Sequence, residues 1–532
     1  MELMSFDYRP LRDKWYREGW FSDRTCIDAF IAGSAEFGST PVVFVAGSAV
    51  QTLAVEEIHN RARALAAALQ RLGVCACDVV AVQLPNCVEC AVAFQAVLLC
   101  GAVLVPIVHI YGASEVGCIL AESGAKVLIM PSRAGSLTYT ERIPKLSHID
   151  TLRDIIVTGE EPGDGYLAWS QLDADAESYQ RLRVLADDVC LLAYTSGTTS
   201  VPKGAQHTHN TVLAELRTMP ALIAGAPEDV SLVTFPPGHI AGLVSMLRPM
   251  IAGGRTVFMD RWDPRRAVEI MHAFGVTSTA GAPVHLQGIL DLEDAVGKLA
   301  SLREFLVGAA PVSEELGKLA SAAGIATFRS YGATEHPTVT GEHAREAEWA
   351  RLGTDGKPMP GSAVRILGPD GFDVPAGVDG EVIVQGPDQF IGYRDPAANT
   401  AAFTADGWFR TGDLGHLDDA GRLTITDRIK DVIIRGGETI SSAQVEDVLN
   451  AHPAVSESAA VAAPDGRFGE VVAAVVVLKP GAALDLDALR AHFAASGLAK
   501  QKTPERLVVV NELPRTSLGK VCKEELRKEH FR

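Results

Sequence analysis

An α/β fold is predicted, with a large N-terminal domain of parallel-sheet α/β subdomains, a small β-rich subdomain and a small α+β C-terminal domain. Three observations carry this. Apolar runs of strand length alternate with segments of helical period from residue 42 to 130 and again from 188 to 329, the rhythm of right-handed crossovers on a largely parallel sheet. From about 355 the texture changes to short strands punctuated by glycine and proline. Beyond about 430 the chain carries a self-contained set of helices and strands. A length of 532 residues leaves room for at least two domains with separate cores.

Val42 to Val45 reads as the first strand. Leu53 to Leu72 places Ile58, Ala62, Leu65, Leu69 and Leu72 at spacings of three and four and stops at Gly73, an amphipathic helix with a glycine terminus. Strand 79–84, helix 88–100, strand 103–107, helix 114–122 and strand 126–130 follow. Residues 131–187 are more polar, with one strand-like piece at Ile155 to Val157. The rhythm resumes with strand Val189 to Ala193, a helix around 212–216, strand Val230 to Phe235, helix 239–252 and strand 255–259. A helix over 264–273 opens at Asp263-Pro264. Leu302 to Leu306, helix 313–322 and Thr327-Phe328-Arg329 end the series, and Glu381 to Val384 belongs to the β-rich part. A charged link, Asp427 to Asp431, follows strand Leu423 to Thr426 and sets the expected domains at 1–429 and 430–532. In the second, Ser441 with Gln444 starts a helix over 442–451. Strands near 455–462 and 470–478, helix 485–495, strand 507–510 and a charged helix from about Cys522 complete it.

Composition excludes several classes. An apolar share of 47% with 21% charged residues is that of an ordinary globular protein. The longest apolar run, Val471 to Leu478, is far short of the ~20 residues that span a bilayer, so no transmembrane segment is expected. Met1 to Asp13 holds Glu2, Asp7, Arg9, Arg12 and Asp13 without an apolar signal region, which makes a cytoplasmic location the expectation. A net charge of −18 without a basic tract argues against nucleic acid as a partner. Small anions are not excluded, because N–H groups, lysines and a metal can hold them locally. Nine cysteines in so long a chain do not suggest a disulfide framework. Cys75, Cys77, Cys87 and Cys90 form C-x-C-x9-C-x2-C, superficially a zinc pattern. Asp78 to Leu84 between the pairs reads as a strand and Cys90 falls in an apolar helix, so structural or incidental thiols are expected.

The stretch Tyr194-Thr195-Ser196-Gly197-Thr198-Thr199-Ser200-Val201-Pro202-Lys203-Gly204 joins a strand to a helix. Thr195, Ser196, Thr198 and Thr199 surround Gly197 with hydroxyls. A tight loop of this kind can turn backbone N–H groups and hydroxyls on an anion such as polyphosphate, and Lys203 adds a point charge. The spacing is not G-x-x-x-x-G-K-[ST], so this is not a Walker loop. A Ser/Thr-rich surface turn is the competing reading.

The stretch resembles the phosphate-binding loop of the adenylate-forming superfamily, which comprises acyl- and aryl-CoA ligases, luciferases and peptide-synthetase adenylation domains. One departure is Ser200, where that family usually has glycine. Four further motifs in the family's order extend the resemblance over roughly 190–525. Phe235-Pro236-Pro237-Gly238-His239-Ile240-Ala241-Gly242 matches the position of an aromatic or histidine at the entrance to the acyl pocket, with a merely packing histidine as the alternative. Tyr331-Gly332-Ala333-Thr334-Glu335 resembles the adenine and metal motif. The resemblance puts Tyr331 on adenine, Thr334 at the α-phosphate and Glu335 on Mg²⁺. Gly407 to Gly415 is close to a full match and makes Asp413 the ribose ligand, with Arg428 the second ribose contact. Pro514-Arg515-Thr516-Ser517-Leu518-Gly519-Lys520 resembles the motif of the catalytic lysine. Lys430 aligns with the hinge of a mobile small domain, and Gly436-Gly437 with the loop along which pantetheine passes. Ser442 and Gln444 stand where proline and glutamate are common, with no chemical consequence evident.

The resemblance implies an ATP-dependent acid–thiol ligase with catalytic residues Lys520, Thr334, Glu335 and His239, and with ATP, Mg²⁺ and coenzyme A as its cofactors. A carboxylic acid becomes acyl-AMP with release of pyrophosphate, and the acyl group then passes to CoA. The acyl pocket it implies includes Ile240, Gly308, Ala309, Ala310 and Ala333. Those positions are small or apolar, and no carboxylate occurs over 239–245 to pair with a substrate ammonium. A medium- to long-chain fatty acid or an alicyclic acid fits such a lining, with aryl acids also open. The chain ends soon after Lys520 without a carrier domain, which favours a free-standing enzyme. Loading of an acyl-carrier protein, and a non-catalytic nucleotide-binding role, are the alternatives. A kinase-type transferase would release ADP instead of AMP. Chain length, ring preference and oligomeric state, a homodimer included, stay open at this level.

Overall fold

The structure, a computed structural model, describes all residues except 1–6, 136, 160–162, 173, 196–201, 224, 227, 293–294, 309–313, 437, 497, 517–519 and 532. The chain forms two compact units, Met1–Ala363 with Gln385–Phe409, and Val364–Val384 with Arg410–Arg532.

Among its described residues the first unit holds a nine-stranded and a seven-stranded sheet. In the larger, the strands Pro41–Ala46, Arg255–Met259, Val230–Val233, Ser278–Gly281, Glu304–Val307 and Ala326–Ala333 are successive parallel neighbours. Antiparallel strands close both edges, Ala49–Ala54 on one side and His336–Gly341 with Lys357–Pro358 on the other. In the smaller sheet Val189–Thr195, Val103–Pro106, Val79–Val82, Val127–Pro131, Asp154–Thr158 and Leu167–Ala168 run parallel. Lys203–Thr208 adds an antiparallel edge.

The helix expected from Leu53 starts later, at Val55, and runs to Arg71. Leu53 belongs to strand Ala49–Ala54, paired antiparallel with Pro41–Ala46 across a turn at Gly47, whose φ is +53°. Val50 and Thr52, both β-branched, suit that strand. Helix Val55–Arg71 then buries Ile58, Ala62, Leu65 and Leu69 and keeps Glu56 and Glu57 in its first turn, where the helix dipole favours acids. Two helices at the start of the chain, Arg9–Arg17 and Cys26–Phe37, are additions to the expected series, the first burying Leu11 and Trp15 four residues apart. The second opens with a Thr25–Asp28 capping box.

One apolar cluster ties the two sheets together. It runs from Phe44 and Phe258 through Phe30, Leu65, Phe94 and Leu247 on helices to Val80, Val82 and Leu104. Helix Val88–Leu99 lies inside it and is buried all round, which is why its sequence lacks an amphipathic stripe.

Among its described residues the second unit holds a four-stranded sheet of Ala363–Leu367, Gly380–Gln385, Phe409–Leu417 and Leu423–Arg428. Its other sheet joins Glu438–Ile440, Ile433–Arg435, Gly469–Leu478 and Val455–Asp465, with Arg506–Val510 parallel to Gly469–Leu478. Val472, Ala474 and Val476 face a core with Leu449, Leu489 and Phe493. Val471, Ala473 and Val475 face another with Leu513, Leu526 and Phe531. Burial on both faces explains why 471–478 reads as an unbroken apolar run. Among the described residues no helix is long and apolar enough to cross a membrane.

Candidate active site

The strands Val189–Thr195 and Lys203–Thr208, which flank the predicted phosphate loop in sequence, pair antiparallel with Tyr194 opposite Gly204 and Thr195 opposite Lys203. Ser196, Gly197, Thr198 and Thr199 lie outside the described residues, as does the Thr195 side chain. The hairpin's returning strand is held on its far side by residues 391–394. Gln206 N–H donates to Gly392 O at 3.0 Å, Ile391 N–H to Gln206 O at 2.9 Å and Arg394 N–H to Gly204 O at 2.9 Å. This places Lys203 Nζ 5.1 Å from the centroid of the Tyr393 ring.

Tyr331 and Gly332 end the parallel strand Ala326–Ala333, and Thr334-Glu335 turn into strand His336–Gly341. A Cβ on Gly332 would meet Pro337 O at 1.9 Å, so glycine is required by the closeness of this hairpin's own strands. The buried Glu335 accepts the Tyr393 hydroxyl on Oε1 at 2.5 Å, and its carbonyl accepts Phe390 N–H at 2.7 Å. Burial and the Glu335 charge push the Tyr393 phenol well above its ordinary range, so it stays a donor. His207 Nε2 donates to the Thr334 carbonyl at 2.8 Å, and burial brings this imidazole down to about 4. It is therefore neutral at neutral pH.

A further buried layer lies behind the turn. His336 Nε2 is 3.0 Å from Asp388 Oδ1, and Thr338 Oγ1 donates to Glu215 Oε1 at 2.7 Å. Burial and the Asp388 charge push Glu215 well above the usual carboxylate range. Burial acts in the same sense on Asp388, but attraction from His336 outweighs it and holds that acid low. Of the two acids, Glu215 is the one whose surroundings favour the protonated form.

His239 is the N-cap of helix Ile240–Ala252. Burial, with a smaller contribution from His109, brings it down to about 4. The preceding glycine packs so closely that a Cβ on Gly238 would meet Val108 N at 2.2 Å. This fixes the loop bearing His239 against residues 107–109. Gly281, Gly308 and Ala333 lie at the carboxyl ends of three neighbouring parallel strands, with Gly308 N–H donating to Gly281 O at 3.1 Å. The crevice outside such ends is where open α/β sheets take ligands. Ile240 opens the adjoining helix, while Ala309 and Ala310 lie outside the described residues. His285, brought to about 4 by burial, packs its ring 4.4 Å from that of Trp262.

In the second unit Asp413 and Arg428 are directly opposite on paired strands, with Arg428 Nε 2.9 Å from Asp413 Oδ1. Asp413 is 5% exposed and Arg428 41%, so the carboxylate is fixed and the guanidinium can reach outward. Lys430 follows two residues on, its ammonium lowered by burial and then by Arg428. Lys520 is an exposed residue whose ammonium is nonetheless brought down to about 8, by desolvation first and by Arg428 next, with Asp413 opposing. Its segment is pinned by Thr516 N–H to Lys520 O at 2.7 Å and by the Arg515–Val521 bridge. Gly436, at φ +59°, donates to Phe468 O at 2.8 Å. Gly437 lies outside the described residues. Ser442 does have a consequence. Its N–H and hydroxyl donate to Asp427 at 2.5 and 3.0 Å, and Lys523 donates to its hydroxyl at 2.7 Å. A proline there would lose all of these.

Asp413, Arg428, Lys430 and Lys520 therefore share one unit, and Lys203, Tyr331, Thr334 and Glu335 share the other. Tyr393, His207 and His109 were missed by the sequence reading. Asp395-Pro396 marks a turn after Tyr393, but no local pattern announces a bond to Glu335, 58 residues away.

Residues 34–394 match the AMP-binding enzyme family and residues 444–520 the AMP-binding enzyme C-terminal domain. The chain is 33% identical over 462 residues to the medium-chain fatty-acid–CoA ligase of Escherichia coli K12, covering 86% of this chain and 82% of that one. It is 35% identical over 480 residues to a feruloyl-CoA synthase of Amycolatopsis sp., covering 90% and 94%. Its fold superposes on ATP-bound MatB from Rhodopseudomonas palustris with a TM-score of 0.85 at 27% identity, over 96% of this chain and 100% of that one. The chain belongs to the AMP-binding, adenylate-forming enzyme family.

Proposed function

We propose that the chain is an AMP-forming acid–CoA ligase acting on a medium- to long-chain fatty acid or a cyclic acid. The observation that carries this reading is the meeting of two distant motifs at Tyr393. Its ring lies under Lys203 of the phosphate hairpin and its hydroxyl binds Glu335. The CoA ligases among its relatives support the thioester product.

A carboxylate is ionised at neutral pH and needs no base to attack the α-phosphate. It needs relief from charge repulsion and in-line placement. Lys203 and the hydroxyls of 195–199 hold the polyphosphate, Tyr331 packs on adenine, and Thr334 is set by its His207-bound carbonyl to donate to the α-phosphate. Asp413 and Arg428 take the ribose hydroxyls. Glu335 offers a buried hard oxygen, the donor magnesium prefers, and the metal supplies charge neutralisation when bound. Lys520 adds the cation of the first half-reaction. The carboxylate oxygen bonds to phosphorus as the bond to pyrophosphate breaks. The thiol sulfur then bonds to the acyl carbon as the bond to AMP breaks.

Gly436 and Gly437 serve the second half-reaction and Lys430 is the hinge, so the functional boundary is placed at 429–430. His239, neutral at neutral pH, borders the acyl entrance. Small residues at Gly308 and Ala333, with His285 brought to about 4 by burial, favour apolar acids. A cytoplasmic setting completes the reading.

Acid-dependent exchange of labelled pyrophosphate into ATP, run over fatty acids of graded length, cyclohexane carboxylate, benzoate and amino acids, tests the adenylation step and the acid class. Exchange with apolar acids is expected. Exchange with amino acids alone would overturn the assignment.

A further inference from the structure

We propose that Cys26, Cys190 and His209 form a binding site for a divalent thiophilic metal ion, zinc being the expected occupant. The three side chains come from three separate elements. Cys26 is the first residue of helix Cys26–Phe37, Cys190 lies in the strand that feeds the phosphate hairpin, and His209 is the first residue of helix His209–Thr218. Their donor atoms all lie within 4.8 Å of one another. They are buried to 0%, 1% and 1% exposure. Among the described residues this is the grouping of three or more such side chains that converges.

The chemistry selects the ion. Two sulfurs and an imidazole are the donors that zinc and its soft neighbours take, whereas magnesium and calcium require oxygen. Two thiolates and a neutral imidazole around a divalent cation sum to zero charge. That balance matters here, because Cys26 and Cys190 sit in the apolar cluster with Ile27, Phe30 and Leu216, where an uncompensated charge would be costly. His209 Nδ1 accepts the Cys26 N–H at 3.3 Å, which sets the ring's orientation relative to Cys26; a metal bound at Nδ1 would take the place of that hydrogen bond and leave a neutral ring with its proton on Nε2. Three protein donors leave a fourth position for a further small ligand. The two thiols are 164 residues apart in the chain, which hides the grouping from any spacing rule. The C-x-C-x9-C-x2-C pattern that spacing does offer has Cys75 and Cys77 exposed and Cys90 buried. A metal at the triad would tie the N-terminal helix to the strand and helix flanking the phosphate hairpin, so its role is structural and separate from the ligase chemistry.

The full-length protein would be produced in medium supplemented with zinc, and separately with cobalt, and purified without chelators. Metal content and the cobalt absorption spectrum are then measured. One equivalent of metal per chain and a thiolate-to-cobalt charge-transfer band are expected. Both should be lost in the near-isosteric Cys26→Ser/Cys190→Ser variant and kept in Cys75→Ser/Cys77→Ser. The proposal is overturned by wild-type protein with neither metal nor band, by metal retained in Cys26→Ser/Cys190→Ser, or by a Cys26–Cys190 disulfide in the protein as isolated. The wild-type spectrum decides the matter even where the double variant fails to fold.

Discussion

The Tyr393 hydroxyl donates to Glu335 Oε1 at 2.5 Å, and the same ring lies 5.1 Å from Lys203 Nζ. Tyr393 thereby sets the carboxylate that the proposed reaction assigns to magnesium. Tyr393→Phe keeps the ring under Lys203 and removes only the donor. A hydrogen bond to a charged group contributes ~1.5–3 kcal/mol, so adenylation should slow roughly 10- to 100-fold. Pyrophosphate-exchange rates at varied magnesium check this, with a raised magnesium requirement expected. Unchanged rates would remove Tyr393 from the positioning role.

Lys520→Ala should slow the first half-reaction ~10²–10³-fold, the loss typical of one removed cation or donor at about 3–4 kcal/mol. The thioester step, assayed from chemically made acyl-adenylate and CoA, should change far less. Equal loss in both steps would contradict the assignment. The Lys520 ammonium titrates at about 8, below its ordinary 10.5. It is charged below pH 8 and loses the proton as pH rises through that value. Adenylation should therefore fall on that alkaline limb, and Lys520→Arg, which stays charged, should flatten it.

Gly332→Ala places a methyl group where Pro337 O already stands, at 1.9 Å. The backbone must move, and overpacking of this kind costs ~1–3 kcal/mol. A lower midpoint of thermal unfolding is expected, with activity lost faster than stability because Thr334 and Glu335 follow directly. An unshifted midpoint would show that the hairpin yields easily.

His207 links stability to pH. Buried and bonded to Thr334 O, it titrates at about 4 against an ordinary 6.5. Between those values the unfolded chain binds a proton that the folded chain refuses, so stability falls as pH drops from 6.5 toward 4. The shift is worth about 3 kcal/mol by linkage. His239 and His285 act in the same direction. His207→Gln should unfold over a shallower acid range, read by denaturant titration at pH 7 and pH 4.5. An identical pH dependence would rule His207 out as a contributor.

Much of this molecule was legible in the sequence because its motifs are local. The strands Val189–Thr195 and Lys203–Thr208 and the start of helix His209–Thr218 carry the phosphate motif, and the YGATE turn is five consecutive residues, so local pattern identifies both. The strand and helix series succeeded where periodicity is strong, as at Ile58, Ala62, Leu65 and Leu69. It failed at Leu53, where a hairpin partner outweighed helical spacing, and at Arg9–Arg17 and Cys26–Phe37, whose burial depends on distant elements. The partners that complete the site were illegible for the same reason. Tyr393 reaches Glu335, His207 reaches Thr334, and Ser442 reaches Asp427 only through tertiary packing. Cys26 meets Cys190 in that way too.

The central claim is that one chain couples acid adenylation to thioester formation. The direct test is to incubate it with Mg·ATP and a fatty or cyclic acid, with and without CoA, and to quantify AMP, pyrophosphate and acyl-CoA. Equimolar AMP, pyrophosphate and acyl-CoA that require CoA for multiple turnovers are predicted. Pyrophosphate without thioester, or ADP in place of AMP, would contradict it.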